Sequence, residues 1–222
     1  MTDVPVSEQN RVRRVCERGH YDRATINQIL DEALVAHLGY IDNGRPLVTP
    51  TVHWRSGDFV YWHGPKATRY MKASHGTPVC LTVTLLDGLV LARSAFHHSA
   101  NYRSVMVHGD AELVSDRDDR YAALEAMIEK LYPGRWSTLR PMNEGEFAGT
   151  QVHRLPIEAA SAKIRQGPPK DDAEDYALDI WAGVLAFDPP ERRLIEDPQQ
   201  KPGLERPAHI NTLVEPTPER DP

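Results

Sequence analysis

Two stretches carry side chains whose types and spacing could do chemistry. The first is SAFHHSANYRSVMVHG, residues 94–109, with adjacent histidines at His97 and His98 and an arginine–serine pair at Arg103 and Ser104. Imidazoles titrate near neutrality, so His97 and His98 suit proton transfer or substrate orientation. The second is HGPKATRYMK, residues 63–72, with Lys66, Arg69 and Lys72. At helical spacing Lys66, Arg69 and Tyr70 share a face, and a helix start after Gly64 offers free N–H groups to an anion. Charge spacing alone does not separate a phosphate site there from a solvated basic helix.

Other chemistries lack their patterns. The chain has no HExxH, HxH or CxxC, and its cysteines, Cys16 and Cys80, lie far apart. Adjacent strand residues point to opposite faces, so His97 and His98 do not share one ion, and no metal site is expected. No GxSxG elbow supports a serine nucleophile. Asp42, Asp58 and Asp87 fall in turn sequences, where local hydrogen bonding explains them. Neither GxGxxG nor GxxxxGK[ST] is present, which disfavours a Rossmann dinucleotide site and a nucleoside-triphosphate loop.

The elements that must position these residues are mostly strands. Thr25 and Gln28 have capping-box spacing, which predicts a short helix to about Ala33. Residues 34–41 and 46–54 flank Asp42-Asn43-Gly44-Arg45, a hairpin signal. Residues 59–64 add a third strand, and a basic helix over 65–74 interrupts the meander. Residues 79–86 and 89–96 are expected to pair across a turn at Asp87-Gly88, followed by a long strand over 102–114. Ser115 is read as the cap of the next helix, Pro133-Gly134 stops it, and 150–164 returns to strand character. The predicted class is mainly β with peripheral helices, in a closed or nearly closed antiparallel barrel.

The 222 residues carry a net charge of −6, which argues against a general nucleic-acid or anionic-membrane surface. No apolar run is long enough to span a membrane, the N-terminal segment lacks a signal-peptide core, and two lone thiols fit a reducing cytoplasm. The expected organisation is an arm at 1–20, a domain at 21–187 and a proline-rich tail at 188–222.

The order PLVTPTVHW, VYWHGPKATRYMK, VCLTVTLLDGLVLARSAFHHSANYRSVMVHGDAEL resembles the pyridoxamine 5'-phosphate oxidase-like FMN-binding split-barrel family, on its nitroimidazole-resistance-type branch. The resemblance implies a six-stranded antiparallel split barrel and a homodimer with FMN in grooves at the interface. Carried over by position, Lys66 and Arg69 match the segment holding the FMN phosphate. Pro50, Thr51 and Val52 match the strand along the isoalloxazine, and Tyr61, Trp62 and His63 the next strand. Arg103 and Ser104 sit where the oxidases place a basic residue and a glutamine. Trp181 matches a segment that closes over the partner's flavin. The acidic, proline-rich C-terminus has no matching clamp for pyridoxamine phosphate. The implied activity is that of an FMN-dependent oxidoreductase acting on a small organic substrate, with His97 and His98 on the open side of the flavin. The alternatives are a redox-sensing flavin module without turnover, or a relative that binds haem or deazaflavin.

Overall fold

The computed structural model describes residues 3–188, 192–201, 203 and 205–214. Its strands are β1 (Gly19–His20), β2 (Val35–Asp42), β3 (Arg45–Ser56), β4 (Phe59–Pro65), β5 (Pro78–Leu91), β6 (Ser99–Asp110), β7 (Glu112–Leu113), β8 (Thr150–Pro156), β9 (Ala159–Arg165) and β10 (Gly183–Ala186). The helices are α1 (Arg23–Glu32), α2 (Arg69–Ser74), α3 (Arg117–Leu131), α4 (Glu144–Gly149) and α5 (Ala208–Asn211).

The mainly-β, antiparallel class holds, but the six-stranded barrel does not. Ten strands form one open sheet in the order β1-β9-β6-β5-β2-β3-β4-β8-β7, with β10 added to β5. The extra strands come from segments without strong alternation. Residues 150–164 fold as two strands, β8 and β9. The arm contributes β1, which pairs with β9.

The sheet curls around one core. Leu38 on β2, Trp62 on β4, Leu81 and Val83 on β5, Val105 and Val107 on β6 and Leu155 on β8 are fully buried together with Ile26 and Leu30 of α1. Each such side chain contributes about 1.5–3 kcal/mol by leaving water. A second cluster of Trp54, Leu124, Phe147 and Val152 seats α3 and α4 against the far side of β3 and β8. The arm is tied down as well. Val4 is buried, and Asn10 donates from Nδ2 to the Ala160 carbonyl.

Helix boundaries follow the caps. Asp22, not Thr25, caps α1 by accepting from the Thr25 amide at 2.8 Å. Asp116, not Ser115, caps α3. The β2–β3 hairpin forms as expected, with Asn43 and Gly44 at φ 49° and 74°.

The expected turn at Asp87-Gly88 is instead a β-bulge inside the continuous strand β5. Two interactions favour the bulge over a turn. The Asp87 carboxylate holds Arg103, and Gly88 lets β10 approach so closely that a Cβ there would lie 2.7 Å from the Leu185 carbonyl. The bulge also switches the strand's buried parity. Val79, Leu81 and Val83 are buried before it, and Gly88 and Val90 after it.

Candidate cofactor site

One face of the sheet has no covering layer among the described residues. Alternation puts Val35, His37 and Ile41 of β2 on it, opposite Val52, Pro50 and Pro46 of β3. The same face continues through Cys80, Thr82, Thr84 and Leu86 of β5 and through Ser104, Met106 and His108 of β6. Its apolar members are open to solvent, with Val48 at 64% and Ile41 at 56% of full exposure. An apolar surface of this extent marks a binding face rather than an ordinary exterior.

At one corner of the face, β4 delivers His63 and leads into α2. The Tyr70 hydroxyl donates to the His63 carbonyl at 2.7 Å, which fastens α2 to the strand end. Gly64 is required there, because a Cβ would lie 2.1 Å from that hydroxyl. His63 is partly buried, its Nδ1 is buried without a partner, and burial lowers its pKa. The Lys66 side chain extends into solvent with no hydrogen bond or ion pair to a described residue, whereas Arg69 reaches back to Asp42 at 2.5 Å. The helix begins at Arg69, not at Pro65. The Lys66 and Thr68 amides donate to the Gly149 and Pro65 carbonyls, so an anion here is met by side chains rather than by a helix start.

The other expected residues divide between the two faces. Pro50 and Val52 lie on the open face, but Thr51 points to the opposite side with Ala36. Tyr61 stacks on Trp54 with ring centroids 5.6 Å apart. Trp62 is a fully buried core residue, because position 62 has the parity of Val60. Arg103 and Ser104 likewise part company. Ser104 lies on the open face and donates from Oγ to the Lys163 carbonyl at 3.2 Å. Arg103 points inward, where Asp87 grips it from Nε and Nη2 and Glu32 from Nη1 and Nη2. Those carboxylates raise its pKa, and the clamp leaves the guanidinium joining α1 to the sheet instead of facing the open side.

His97 and His98 lie in and just after a 3-10 turn, Ala95–His97, between β5 and β6. A C-terminal strap crosses this turn. Asp171 takes the Arg93 amide and guanidinium, each at 3.0 Å, Asp172 lies 3.2 Å from His97 Nε2, and Tyr176 lies under Arg93. The strap then adds β10 to the end of β5, pairing Leu185 with Leu89. Trp181 stands 73% exposed just before β10, and Phe96 at the turn is 86% exposed. His97, Asp172 and Asp175 could converge on a cation, since their ligand atoms lie within 4.8 Å of one another. The spacing gave no hint of this group, because 75 residues separate His97 from Asp172.

Two further histidines are interior. His53 bonds the Leu30 carbonyl at 3.0 Å, and His153 Nδ1 lies 3.1 Å from Ser74 Oγ. Burial, with Lys130 beside His53 and His75 beside His153, lowers each pKa to about 4. A cleft of about 210 Å³ lined by Ser56, Tyr61, Val114, Asp119, Ala123 and Arg154 is smaller than an ordinary ligand pocket, and Lys66 is not in its lining. The open face is the candidate site.

Sequence patterns missed His37 and His108 on this face, and also the strap. Strand alternation from Val35 to Ile41 was the available signal for His37.

The family profile of pyridoxamine 5'-phosphate oxidase matches residues 22–164. The chain belongs to that family. It is similar to the flavocytochrome Anf3 from Azotobacter vinelandii, at 45% identity over 93% of this chain and 96% of that one, with a TM-score of 0.90. It is also similar to an FAD and haem binding protein from Mycobacterium smegmatis, at 30% identity over 89% and 97% of the two chains, with a TM-score of 0.84. A candidate 5-nitroimidazole antibiotic resistance protein from Bacteroides thetaiotaomicron shares the fold at 20% identity, covering 66% of this chain and 86% of that one, with a TM-score of 0.54. No curated protein sequence matches. No described helix is long and apolar enough to cross a membrane.

Proposed function

We propose that the chain is a redox protein of the flavocytochrome type, binding a flavin and a haem at sites completed by a second copy of itself. The observation that carries this reading is the 45% identity with a flavocytochrome across 93% of the chain. The Mycobacterium relative, named for FAD and haem, supports FAD over the FMN implied by the family resemblance.

The residues present fit a flavin. A flat ring needs an apolar wall, and Val48, Pro50 and Val52 supply one on β3. The Lys66 ammonium is uncommitted among the described residues and suits a phosphate. His63, with an orphan Nδ1, stands where β3 and β4 meet the open face. A bound flavin exchanges electrons in pairs or singly and a haem exchanges them singly, so the two together join one kind of donor to another kind of acceptor. This chain's part would be to hold the cofactors and exclude water from them. His97, bonded to Asp172, is the candidate for handling protons near the open side. The uncovered strand face is the surface a second copy would cover, giving a homodimer.

The absorbance spectrum of the purified protein tests the reading. Flavin bands and a Soret band are expected, and mass spectrometry of the released flavin is expected to find FAD. A colourless protein that takes up neither cofactor when supplied would overturn it. Turnover with a reduced nicotinamide separates an enzyme from a sensor without turnover.

A further inference from the structure

We infer that His98 is the residue of this chain that ligates the haem iron, through Nε2. The inference rests on the flavin-and-haem reading above and names the residue that reading leaves open.

An axial histidine needs an accessible ring nitrogen with a free lone pair, a second nitrogen whose proton is held by an acceptor, and an apolar surface for the macrocycle. His98 meets all three conditions. Its ring is exposed, and its Nδ1 lies 2.9 Å from the Ser94 carbonyl. A carbonyl only accepts, so the proton sits on Nδ1 and the lone pair on Nε2, which has no hydrogen bond to a described residue. The same contact fixes the ring's orientation against the 3-10 turn.

The apolar surface is beside it. His98 precedes by two residues the row Ala100, Leu89 and Leu185, which ends the open face across β6, β5 and β10. Leu89 and Leu185 are both exposed, and so are Phe96 and Trp181 nearby in the chain. The strap that supplies Leu185 and Trp181 lies beyond residue 164, outside the family match. Both relatives named for haem cover most of this chain, 93% and 89%, whereas the Bacteroides protein covers 66%.

Six other histidines fit less well. His53 and His153 are fully buried. The Nε2 of His97 is engaged by Asp172. His63 has its Nδ1 buried without an acceptor among the described residues, so that nitrogen does not fix its tautomer. His37 and His108 lie on the open face, but neither bonds a carbonyl among the described residues.

The test is His98→Ala in the full chain, with His97→Ala and His63→Ala alongside. Haem is titrated into each apoprotein and followed by the Soret band and by electron paramagnetic resonance of the ferric iron. His98→Ala should raise the apparent Kd for haem by about 10-fold or more. It should also change the ferric spin signature, and added imidazole should restore the wild-type signature. Flavin content should stay at the wild-type level, which shows that the variant folds. An unchanged Kd and spin signature in His98→Ala would overturn the assignment, and so would their loss in His63→Ala or His97→Ala alone. A wild-type protein that binds flavin but no haem would instead defeat the flavocytochrome reading, and this assignment with it.

Discussion

Replacing Gly64 by alanine tests how the corner formed by His63 and α2 is built. The new Cβ would lie 2.1 Å from the Tyr70 hydroxyl, 2.9 Å from Cζ and 3.2 Å from Met71 Cγ. The phenol must therefore leave. That breaks its hydrogen bond to the His63 carbonyl, worth about 1 kcal/mol, and repacks a half-buried ring at about 1–3 kcal/mol. The expected loss is about 2–4 kcal/mol, read as a lower urea midpoint with an unchanged slope. Tyr70→Phe alone should lose only the hydrogen bond. In the double variant the hydrogen bond is lost once rather than twice, and the closest clash is gone. The two substitutions should therefore couple by about 1–2 kcal/mol in favour of the pair. Effects that add to within about 0.3 kcal/mol would refute the claim that the Gly64 constraint acts through Tyr70. The same melts with flavin added should show Gly64→Ala losing part of its ligand stabilisation, since Lys66 follows two residues on.

Other outcomes follow from the same geometry. Lys66→Ala should weaken flavin binding by roughly 10-fold, the value of one charge-assisted contact, as measured by fluorescence titration. Val48→Asp, on the open face, should shift the protein from dimer to monomer in light scattering; an unchanged dimer would place the interface elsewhere. Arg103→Ala leaves Glu32 and Asp87 facing each other and should cost about 2–4 kcal/mol by chemical denaturation, with flavin affinity retained. His53 and His153 stay neutral in the fold down to pH about 4 but take up protons in the unfolded chain from about 6.5. The unfolded state therefore binds more protons across that window, and stability should fall as pH drops through it. Each residue accounts for up to roughly 3 kcal/mol, and His153→Gln should flatten the dependence.

Legibility varied with the source of each constraint. Strands β2, β3 and β4 were readable because their turns carry local signals, such as Asn43-Gly44 at positive φ. The Asp87-Gly88 pair carries the same kind of signal, yet it forms a bulge, because its decisive partners Arg103 and Leu185 lie 16 and 97 residues away. Parity explains the site residues. Pro50 and Val52 alternate onto the open face, whereas Trp62 shares parity with the core residue Val60 and is spent on packing. In the sequence Arg103, a charge at the head of an apolar stripe, admits two readings, an edge ion pair or a ligand clamp. The presence of Glu32 opposite it, on α1, decides between them. The strap was the least legible, because four residues of β10 gain strand geometry only by adding to β5.

The bulge at Asp87 sets one residue of β5 outside the alternation of its strand, free to answer to Arg103 and not to the ladder. Deleting that one residue would leave Leu86 outward, Gly88 inward, Leu89 outward and Val90 inward, the faces they already hold. Leu185 would still meet the exposed row it now extends. A relative with a one-residue gap at this position would thus be expected to seat its strap in the same way and to lose only the carboxylate that grips the arginine.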